Sequence, residues 1–546
     1  MASFVPIRQQ PPLPLDRLIC ADPAGAEAIE LDVLFVGAGP AGLAGAIHLA
    51  TLARESGREL SIGVLEKAGA LGEHSLSGAV VNPRAFRELF PGMPEAEFPF
   101  RQKVEREEVR FLTRHRSFRI PTPPTMRNHG NSVASLSEMV RWLGQRAEAL
   151  GVNLFTGFPA AALLVEGRRV RGVRTTPAGL DRTGAPGEGY QEPTELTAKV
   201  TVLAEGTRGA LAQAWRSWEG VGSPNPQIFA LGVKEVWRIA RPLDRVVHTL
   251  GWPIPLEAFG GTFLYPMGGD QVALGIVTGL DARPAAFDVH ELLQRLKLHP
   301  FVRQYLEGGE LLEWGAKTIP EGGYWSLAAR ASGAGIILAG DCAGFVDVPS
   351  LKGIHYAMQS GIFAARTAFG ALQQDDTSAA GLAAYDALVR ESYIVEDLKR
   401  TRNMRLAFKH GFALAGLENG LLTLTRGAFP GWRIAVQEDA AEARRSEPAE
   451  PFVPDGRLTF SKLDAVFKSG NATRDTIPSH LLVGPGVGPE LAEFYSHVCP
   501  AGVYERTAEG GLRVNPPNCI DCKATDVLGP RWLPREGGSG PKYRLM

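Results

Sequence analysis

Three cysteines near the carboxyl end of the chain have the residue type and spacing that iron–sulfur clusters need. Cys519 and Cys522 form a Cys-x-x-Cys pair, and Cys499 stands before a proline, as one cysteine does in ferredoxin patterns. A further thiolate is expected shortly after Cys522, but Thr525 occupies that position. Its hydroxyl stays protonated at neutral pH, and cluster iron prefers thiolate, so threonine is a poor ligand.

Three thiolates leave the form of the cluster open. They can hold a three-iron cluster fully, or a four-iron cluster whose last iron faces water or an oxygen ligand such as Asp521 or Asp526. A degenerate domain without metal is the alternative, although a loop-rich domain would lose much of its folding energy with its cluster. The other cysteines, Cys20 and Cys342, are expected to be inert.

A second chemical pattern lies near the start of the chain, where glycines follow a short apolar strand expected at 33–36. Gly37, Gly39 and Gly42 have Gly-x-Gly-x-x-Gly spacing and precede an expected helix. The first permits a tight turn, the second lets the backbone approach a pyrophosphate, and the third lets the helix pack closely. A second strand ends at Glu66, whose carboxylate can accept ribose hydroxyls. These residues predict a bound dinucleotide; a glycine-rich turn with a surface glutamate is the alternative.

The rest of the chain favours FAD over a nicotinamide dinucleotide. A nicotinamide dehydrogenase would continue its parallel sheet after Glu66, whereas this chain enters a loop at 68–86. Far downstream, strands end at Gly206 and at Gly340-Asp341, and in FAD enzymes such an aspartate reaches the ribityl chain. An N-cap or turn is the alternative reason for the aspartate. The FAD site is also expected to include Lys67, Ser77, Gly78 and Gly353.

Composition excludes several other classes of function. The chain has 546 residues, enough for two to four domains of roughly 150 residues. Its 58 basic and 59 acidic residues nearly cancel, so no nucleic-acid partner is expected. Five cysteines are too few and too uneven for a disulfide framework, which favours a reducing compartment. No signal peptide is expected, and no apolar run reaches the roughly 20 residues of a spanning helix.

From Val33 onward the chain resembles the electron transfer flavoprotein:ubiquinone oxidoreductase family. The stretches that carry the resemblance are LSGAVVNPRAFRELFP, NHGN, LGVKEVW, GGTFLYPMGGDQVALGIVTGLD, FVDVPSLKGIHYAMQSGI, CPAGVYE and PREGGSGPKYRLM. The resemblance implies an α/β and α+β fold: a Rossmann-like FAD domain of the two-dinucleotide-binding-domain type, a mixed-sheet quinone domain and a C-terminal ferredoxin-like domain. In that family a fourth cysteine ligand stands at the position of Thr525.

The resemblance also implies a quinone site at Phe259, Gly260 and Gly261. The bare backbone of two glycines can approach a quinone headgroup and offer it hydrogen bonds. A bulge or tight bend is the alternative reason for paired glycines. Phe259 stands where tyrosine is usual in the family, so this side of the expected quinone site lacks one hydroxyl.

Two segments are candidates for contact with a membrane surface. Residues 411–432 match the family's membrane-dipping helix by position, but polar residues interrupt the leucines, so weak attachment in the interface is expected. A hairpin at 111–125 carries Arg114, Arg116 and Arg119, which could meet anionic headgroups. A core-facing helix and a solvated basic hairpin are the alternatives.

The expected domain limits follow from these motifs and from the proline-rich and charged stretches between them. They are a leader at 1–30, the FAD domain at 31–225 and 330–390, the quinone domain at 226–329, a helical segment and linker at 391–456, and the iron–sulfur domain at 457–546.

The leading interpretation is an electron-transferring-flavoprotein dehydrogenase. It would pass electrons from reduced electron transfer flavoprotein through FAD and an iron–sulfur cluster to ubiquinone or menaquinone, and it needs no side-chain nucleophile because cofactors carry the electrons. The expected location is peripheral, on the cytoplasmic face of a bacterial inner membrane or on the mitochondrial inner membrane of a eukaryote. The alternatives are a soluble FAD-dependent reductase of the geranylgeranyl reductase type with a degenerate cluster domain, and a non-catalytic flavoprotein partner.

Overall fold

The computed structural model describes residues 3–22, 27–447 and 450–546. The gaps fall within the expected leader and the expected linker, so those parts of the two predictions lie outside the described residues. Two large sheets and a C-terminal region of short elements make up the described chain. The fold class expected from the sequence is confirmed.

A nine-stranded sheet carries the glycine loop. Its central strand, Ile29–Val36, is buried over its last four residues, as a parallel strand covered on both faces requires. Strands on both sides run parallel to it, so several carboxyl ends meet at one edge. Seven strands pair in the order Asn153–Thr156, Ile62–Glu66, Ile29–Val36, Glu195–Leu203, Arg169–Thr175, Ala160–Glu166 and Ile19–Cys20. In addition, Ile336–Leu338 pairs with Glu195–Leu203, and Ser332–Gly333 pairs with Ile336–Leu338.

Residues expected to form a leader take part in this fold. The strand Ile19–Cys20 pairs in parallel with Ala160–Glu166, and the short helix Leu15–Leu18 precedes it. Nearer the amino end, Ser3–Phe4 pairs antiparallel with Arg444–Arg445. The described part of 1–30 is therefore packed against the body of the protein.

Two long helices pack against each other through glycines. Pro40–Glu55 starts on proline, which suits the first helical position because its missing N–H is not needed there. A Cβ added at Gly361, in helix Ile354–Gln373, would lie only 2.0 Å from the carbonyl oxygen of Ala41. Only glycine permits this approach, which sets the amino-terminal half of one helix against the other.

The remaining helices before the C-terminal region lie between strands or follow the last strand of the two large sheets in the sequence. Leu136–Ala149 begins after Ser135, whose hydroxyl accepts the N–H of Glu138 and caps the helix. The others are Arg84–Leu89, Ala210–Trp218, Val289–Lys297, Pro300–Leu306, Ala379–Leu382, Ala384–Arg390, Tyr393–Arg400 and Phe412–Leu424.

A seven-stranded mixed sheet forms the second layer. Only Val246–Gly251 and Glu107–Leu112 pair in parallel within it; the other neighbours are antiparallel. The hairpin at its edge comes from the range 31–225, so the chain expected to form the FAD domain also supplies strands to this sheet. The order is Glu310–Pro320, Phe229–Arg238, Gln271–Gly279, Gly260–Pro266, Val246–Gly251, Glu107–Leu112 and Ser117–Ile120.

The C-terminal region consists of short elements that wrap back onto the rest of the chain. Its final carbonyl, on Met546, accepts hydrogen bonds from the Ser135 hydroxyl and from the Ser137 N–H. Its helices are Lys462–Lys468, Pro489–Val498 and Ala524–Leu528, and its paired strands are Leu481–Leu482 with Arg531–Trp532 and Tyr504–Arg506 with Leu512–Val514. Elsewhere, small sheets join Val80–Val81, Ser132–Val133 and Gln102–Lys103, and Ala178–Leu180 with Pro186–Gln191.

Candidate cofactor sites

Two adjoining cavities, of about 230 Å³ and about 200 Å³, lie at the carboxyl edge of the nine-stranded sheet. They share several lining residues, so they are two parts of one elongated cleft. Of the eleven residues predicted to bind the dinucleotide, ten line one or both cavities: Gly37, Gly39, Glu66, Lys67, Ser77, Gly78, Gly206, Gly340, Asp341 and Gly353.

The glycines present bare backbone to this cleft. A Cβ added at Gly39 or at Gly206 would meet no atom of the described chain within 4 Å, and Gly206 has a φ of +70°. Gly37 has a φ of +110°, and its added Cβ would lie 2.4 Å from the carbonyl oxygen of Ala204. The turn at Gly37 therefore requires glycine, whereas Gly39 and Gly206 leave room for a phosphate group.

Gly42 lies behind the loop and does not line these two cavities. A Cβ added there would lie 2.0 Å from the carbonyl oxygen of Gly37 and 3.5 Å from the Cβ of Ala204. The helix can approach the strand this closely only because position 42 has no side chain.

Glu66 holds the loop while keeping lone pairs for a ligand. Its two carboxylate oxygens accept the N–H groups of Ala38 at 3.1 Å and of Ala68 at 2.9 Å. Each oxygen has a second lone pair that ribose hydroxyls can use. Lys67 reaches the C-terminal region, where its Nζ lies 2.5 Å from Oδ2 of Asp521.

Asp341 is enclosed in the wall shared by the two cavities. Burial raises the pKa of its carboxyl to about 6, although the nearby Lys317 acts in the opposite direction. Burial also lowers the pKa of Lys317 to about 8. A carboxyl in this environment can bond to the hydroxyls of a ribityl chain as donor or as acceptor.

Other lining residues come from places that no sequence pattern indicated. Strand Glu310–Pro320, most of which is buried, supplies Lys317. A lysine in such a strand could have signalled a ligand or a buried partner. The C-terminal region closes the smaller cavity with Lys523, Trp532 and Pro534. Nothing in the local sequence around these three residues points to the glycine loop.

The predicted quinone residues lie at the start of a strand, Gly260–Pro266, that lines the larger cavity through Phe263 and Tyr265. Gly261 is paired with Val277, which lines that cavity. A Cβ added at Gly260 would lie 2.5 Å from the Val277 carbonyl oxygen, so close strand packing also requires a glycine there. The ring of Phe259 packs against Phe408 with their centroids 4.9 Å apart.

A buried ion pair lies between Phe259 of the predicted quinone site and the larger cavity. The guanidinium of Arg405 lies 4.1 Å from the ring centre of Phe259, and its Nε donates to Glu321 at 2.6 Å. Glu321 lines the cavity. Burial raises its pKa to about 7, against the opposite effect of Arg405.

The three predicted metal ligands are buried close together in the C-terminal region. Burial raises the pKa of each thiol, that of Cys519 to about 12. Backbone N–H groups lower these pKa values: that of Ala501 acts on Cys499, and that of Ala524 acts on Cys522. N–H groups directed at sulfur stabilise thiolates, so this donor set fits an iron–sulfur cluster.

The two aspartates considered as oxygen ligands are already held by cations. Asp521 lies 2.5 Å from Lys67 and 2.9 Å from Arg535, and Asp526 lies 2.7 Å from Arg208. Burial alone would raise the pKa of Asp521, but Arg535 and Lys67 hold it well below its usual range. These contacts speak against either carboxylate as a ligand to iron.

One strand forms a common wall between the cleft and the cysteine loop. The N–H of Thr318 donates to the carbonyl oxygen of Cys522 at 3.0 Å, and Nζ of Lys317 donates to that of Asp521 at 3.1 Å. Thr318 and Lys317 both line the larger cavity. The two candidate cofactor sites are thus direct neighbours.

The helix Phe412–Leu424 presents an exposed apolar face. Leu422 packs inward, whereas Leu417 is 69% exposed and Leu424 is 83% exposed. Phe412 lies beside Phe111 of the edge hairpin, with ring centroids 6.3 Å apart. The same hairpin carries the exposed arginines Arg114, Arg116 and Arg119.

Within the described ranges, none of the helices has both the length and the apolar character needed to cross a membrane.

Comparison with known families gives two matches. Residues 229–319 match the family described as ETF-QO, ubiquinone-binding, and residues 456–544 match the family described as electron transfer flavoprotein-ubiquinone oxidoreductase, 4Fe-4S. The first match falls on the second sheet and the second on the C-terminal region.

Two plant proteins are similar to the chain over most of its length. The protein from Oryza sativa subsp. japonica is 37% identical over 553 residues, which cover 96% of this chain and 94% of the relative. That from Arabidopsis thaliana is 38% identical over 552 residues, covering 95% and 85%. Both are named electron transfer flavoprotein-ubiquinone oxidoreductase, mitochondrial.

A solved structure shares the fold of a large part of the chain. It is a geranylgeranyl bacteriochlorophyll reductase-like protein from Thermoplasma acidophilum, with a TM-score of 0.56 over 73% of this chain and 92% of that chain. Sequence identity is 18%, so this likeness concerns the fold alone.

Proposed function

Because the chain belongs to the electron transfer flavoprotein-ubiquinone oxidoreductase family, we propose that it oxidises reduced electron transfer flavoprotein and reduces a membrane quinone, using FAD and an iron–sulfur cluster. The observation that carries the proposal is the common wall: Thr318 lines the cleft and also donates to the carbonyl oxygen of Cys522. Neighbouring sites allow electrons to pass between cofactors without large motions of the protein.

The side chains and backbone of this protein bind and position the cofactors. FAD supplies two-electron and one-electron chemistry when bound, and the cluster supplies one-electron transfer. Gly37, Gly39 and the start of helix Pro40–Glu55 would bind the pyrophosphate, and Glu66 the ribose. Asp341 would bind the ribityl chain, and Cys499, Cys519 and Cys522 would bind the cluster.

The alternatives are less well supported. A soluble reductase of the geranylgeranyl reductase type would explain the fold of the first two layers but not the match to the ubiquinone-binding and 4Fe-4S families. A non-catalytic flavoprotein partner would account for the cofactor sites but would not reduce quinone. The activity measurement below separates these possibilities from the proposed enzyme.

We expect the purified protein to reduce a soluble quinone analogue when electron transfer flavoprotein is supplied in the reduced form. Cys519→Ala should lose iron and lower this rate by more than about tenfold, since even residues that only support metal ligands typically matter about 10–100-fold. Cys20→Ala is the matched control, because that cysteine lies far from the cluster loop in the sequence and outside the cleft lining. An unchanged rate in Cys519→Ala would remove the cluster from the electron route.

The quinone contacts and the domain limits remain proposals. We place the quinone headgroup at Gly260-Gly261 beside Phe259, supported by the pairing of Gly261 with Val277 of the cavity wall. We keep the quinone domain at 226–329 and the iron–sulfur domain at 457–546.

We propose that the protein attaches peripherally to a membrane through the face formed by helix Phe412–Leu424 and the neighbouring hairpin. Exposed leucines would enter the interface while arginines meet anionic headgroups. The relatives named above are mitochondrial, which is consistent with an inner membrane. In a bacterium the corresponding surface is the cytoplasmic face of the inner membrane.

The double variant Leu417→Glu/Leu424→Glu should bind vesicles of phosphatidylcholine and phosphatidylglycerol at least about tenfold more weakly, because burying one leucine contributes about 2 kcal/mol. Co-sedimentation with vesicles measures the change. Leu463→Glu, an exposed leucine of the C-terminal region, is the control and should bind as the unaltered protein does. Equal binding by both variants would exclude this face.

A further inference from the structure

The chain cannot supply four thiolates to one cluster. It contains five cysteines, and the sulfur of Cys342 lies beneath the cleft, where it donates to the carbonyl oxygens of Leu203 and Ala339 at 3.1 Å. Cys20 lies 3.7 Å from the carboxylate of Asp22, near the amino end. Only Cys499, Cys519 and Cys522 remain, whereas a four-iron cluster is ordinarily held by four cysteines.

Thr525 lies beside the cysteine loop. It lies on the first turn of helix Ala524–Leu528, directly after the cysteine loop, and is buried. Its hydroxyl lies 3.5 Å from the hydroxyl of Tyr504, and that phenol lies near all three thiols. An alcohol and a phenol, and no fourth thiolate, therefore lie beside the three thiols.

The acidic side chains near the cluster loop are already engaged. Asp521 is paired with Lys67 and Arg535, and Asp526 receives the Nε of Arg208 and the backbone N–H of Trp532. Moving either carboxylate to iron would leave buried cations without a partner, which is strongly unfavourable.

His480 is another nearby side chain with a ligand atom. One of its ring nitrogens, the sulfur of Cys519 and an oxygen of Asp521 lie within 4.8 Å of one another. That spacing suits a single ion, but Lys67 and Arg535 already neutralise Asp521, which disfavours a separate ion at this place. An imidazole bound to the fourth iron would hold that iron firmly, and the experiment below detects this.

We propose that three thiolates alone hold the cluster of this chain and that its fourth iron, facing Thr525, is exchangeable. The inference rests on the proposed function, from which it takes the presence of a cluster. Oxidation by ferricyanide would release one Fe²⁺ and transfer one electron to ferricyanide, which becomes ferrocyanide, and a three-iron cluster would remain. Added Fe²⁺ and one electron from dithionite would restore the four-iron form.

The test compares iron content and electron paramagnetic resonance before and after treatment of the anaerobically purified protein with ferricyanide. We expect the unaltered protein to lose about one iron in four and to develop the signal of an oxidised three-iron cluster. Fe²⁺ with dithionite should reverse both changes. Thr525→Cys should keep its iron and remain without that signal, and Thr525→Ala should behave as the unaltered protein does.

Full retention of iron by the unaltered protein would overturn the proposal, as would loss of iron from Thr525→Cys to the same extent. The rate of quinone reduction by electron transfer flavoprotein, measured on the same samples, separates this result from the proposed function. If the iron is held firmly and the rate of quinone reduction is intact, only the proposal of an exchangeable fourth iron is rejected. If the protein is yellow but contains no iron or sulfide, both the exchangeable fourth iron and electron transfer through a cluster are rejected.

Discussion

Gly42→Ala is expected to yield a protein that purifies without flavin. Alanine is the better helix former by about 1 kcal/mol, so helix propensity alone predicts a more stable protein. The added methyl group, however, would lie 2.0 Å from the carbonyl oxygen of Gly37, which is rigid backbone. The helix would have to move away, and its first N–H groups would then no longer reach the proposed position of the pyrophosphate.

The measurement is the ratio of flavin absorbance to protein absorbance, together with the thermal unfolding midpoint. We expect more than about tenfold weaker FAD binding and a loss of about 1–3 kcal/mol from overpacking. Gly370→Ala is the matched control: it also lies inside a helix, and its added Cβ would meet no described atom within 4 Å. A yellow Gly42→Ala protein would show that the loop tolerates a wider separation of helix and strand.

Asp521→Asn is expected to weaken both cofactor sites at once. This side chain is 1% exposed and pairs with Lys67 of the cleft and Arg535 of the C-terminal region. Asparagine has nearly the same shape and tolerates the left-handed backbone at this position, where φ is +55°. The substitution therefore removes the charge and leaves two cations facing each other, at a cost of about 3–5 kcal/mol.

We expect Asp521→Asn to unfold at lower urea concentration and to lose iron and flavin together. Glu493→Gln is the control, because its partner Arg506 lies at a similar distance, 2.6 Å, but both side chains are about half exposed. Such surface pairs contribute about 1 kcal/mol or less. Loss of iron alone from Asp521→Asn would mean that the flavin site does not depend on this contact.

Local patterns in the sequence are sufficient to predict the strands and turns that line the cleft. Gly37, Gly39, Glu66 and Asp341 each stand where a strand ends, and parallel strands bring such ends to one edge. Their part in binding FAD stays a prediction. Period and spacing work here because each motif is completed within a few residues of chain.

Contacts between distant segments could not be predicted in this way. Lys67 and Asp521 are separated by 454 positions, and neither has a neighbour in sequence that marks the other. For the same reason, local patterns do not connect Lys317 with the cleft or the hairpin at 111–125 with the second sheet. Tertiary pairing, not local preference, decides these positions.

The closure of the smaller cavity by Lys523, Trp532 and Pro534 has a consequence for biogenesis. A ribosome delivers the amino-terminal segments first, and domains generally begin to fold in that order. FAD can then enter through the side that the late-emerging segment still leaves open. Maturation would proceed from a yellow intermediate to an iron-loaded enzyme, and assembly machinery for iron and sulfide would act on a chain that already carries its flavin.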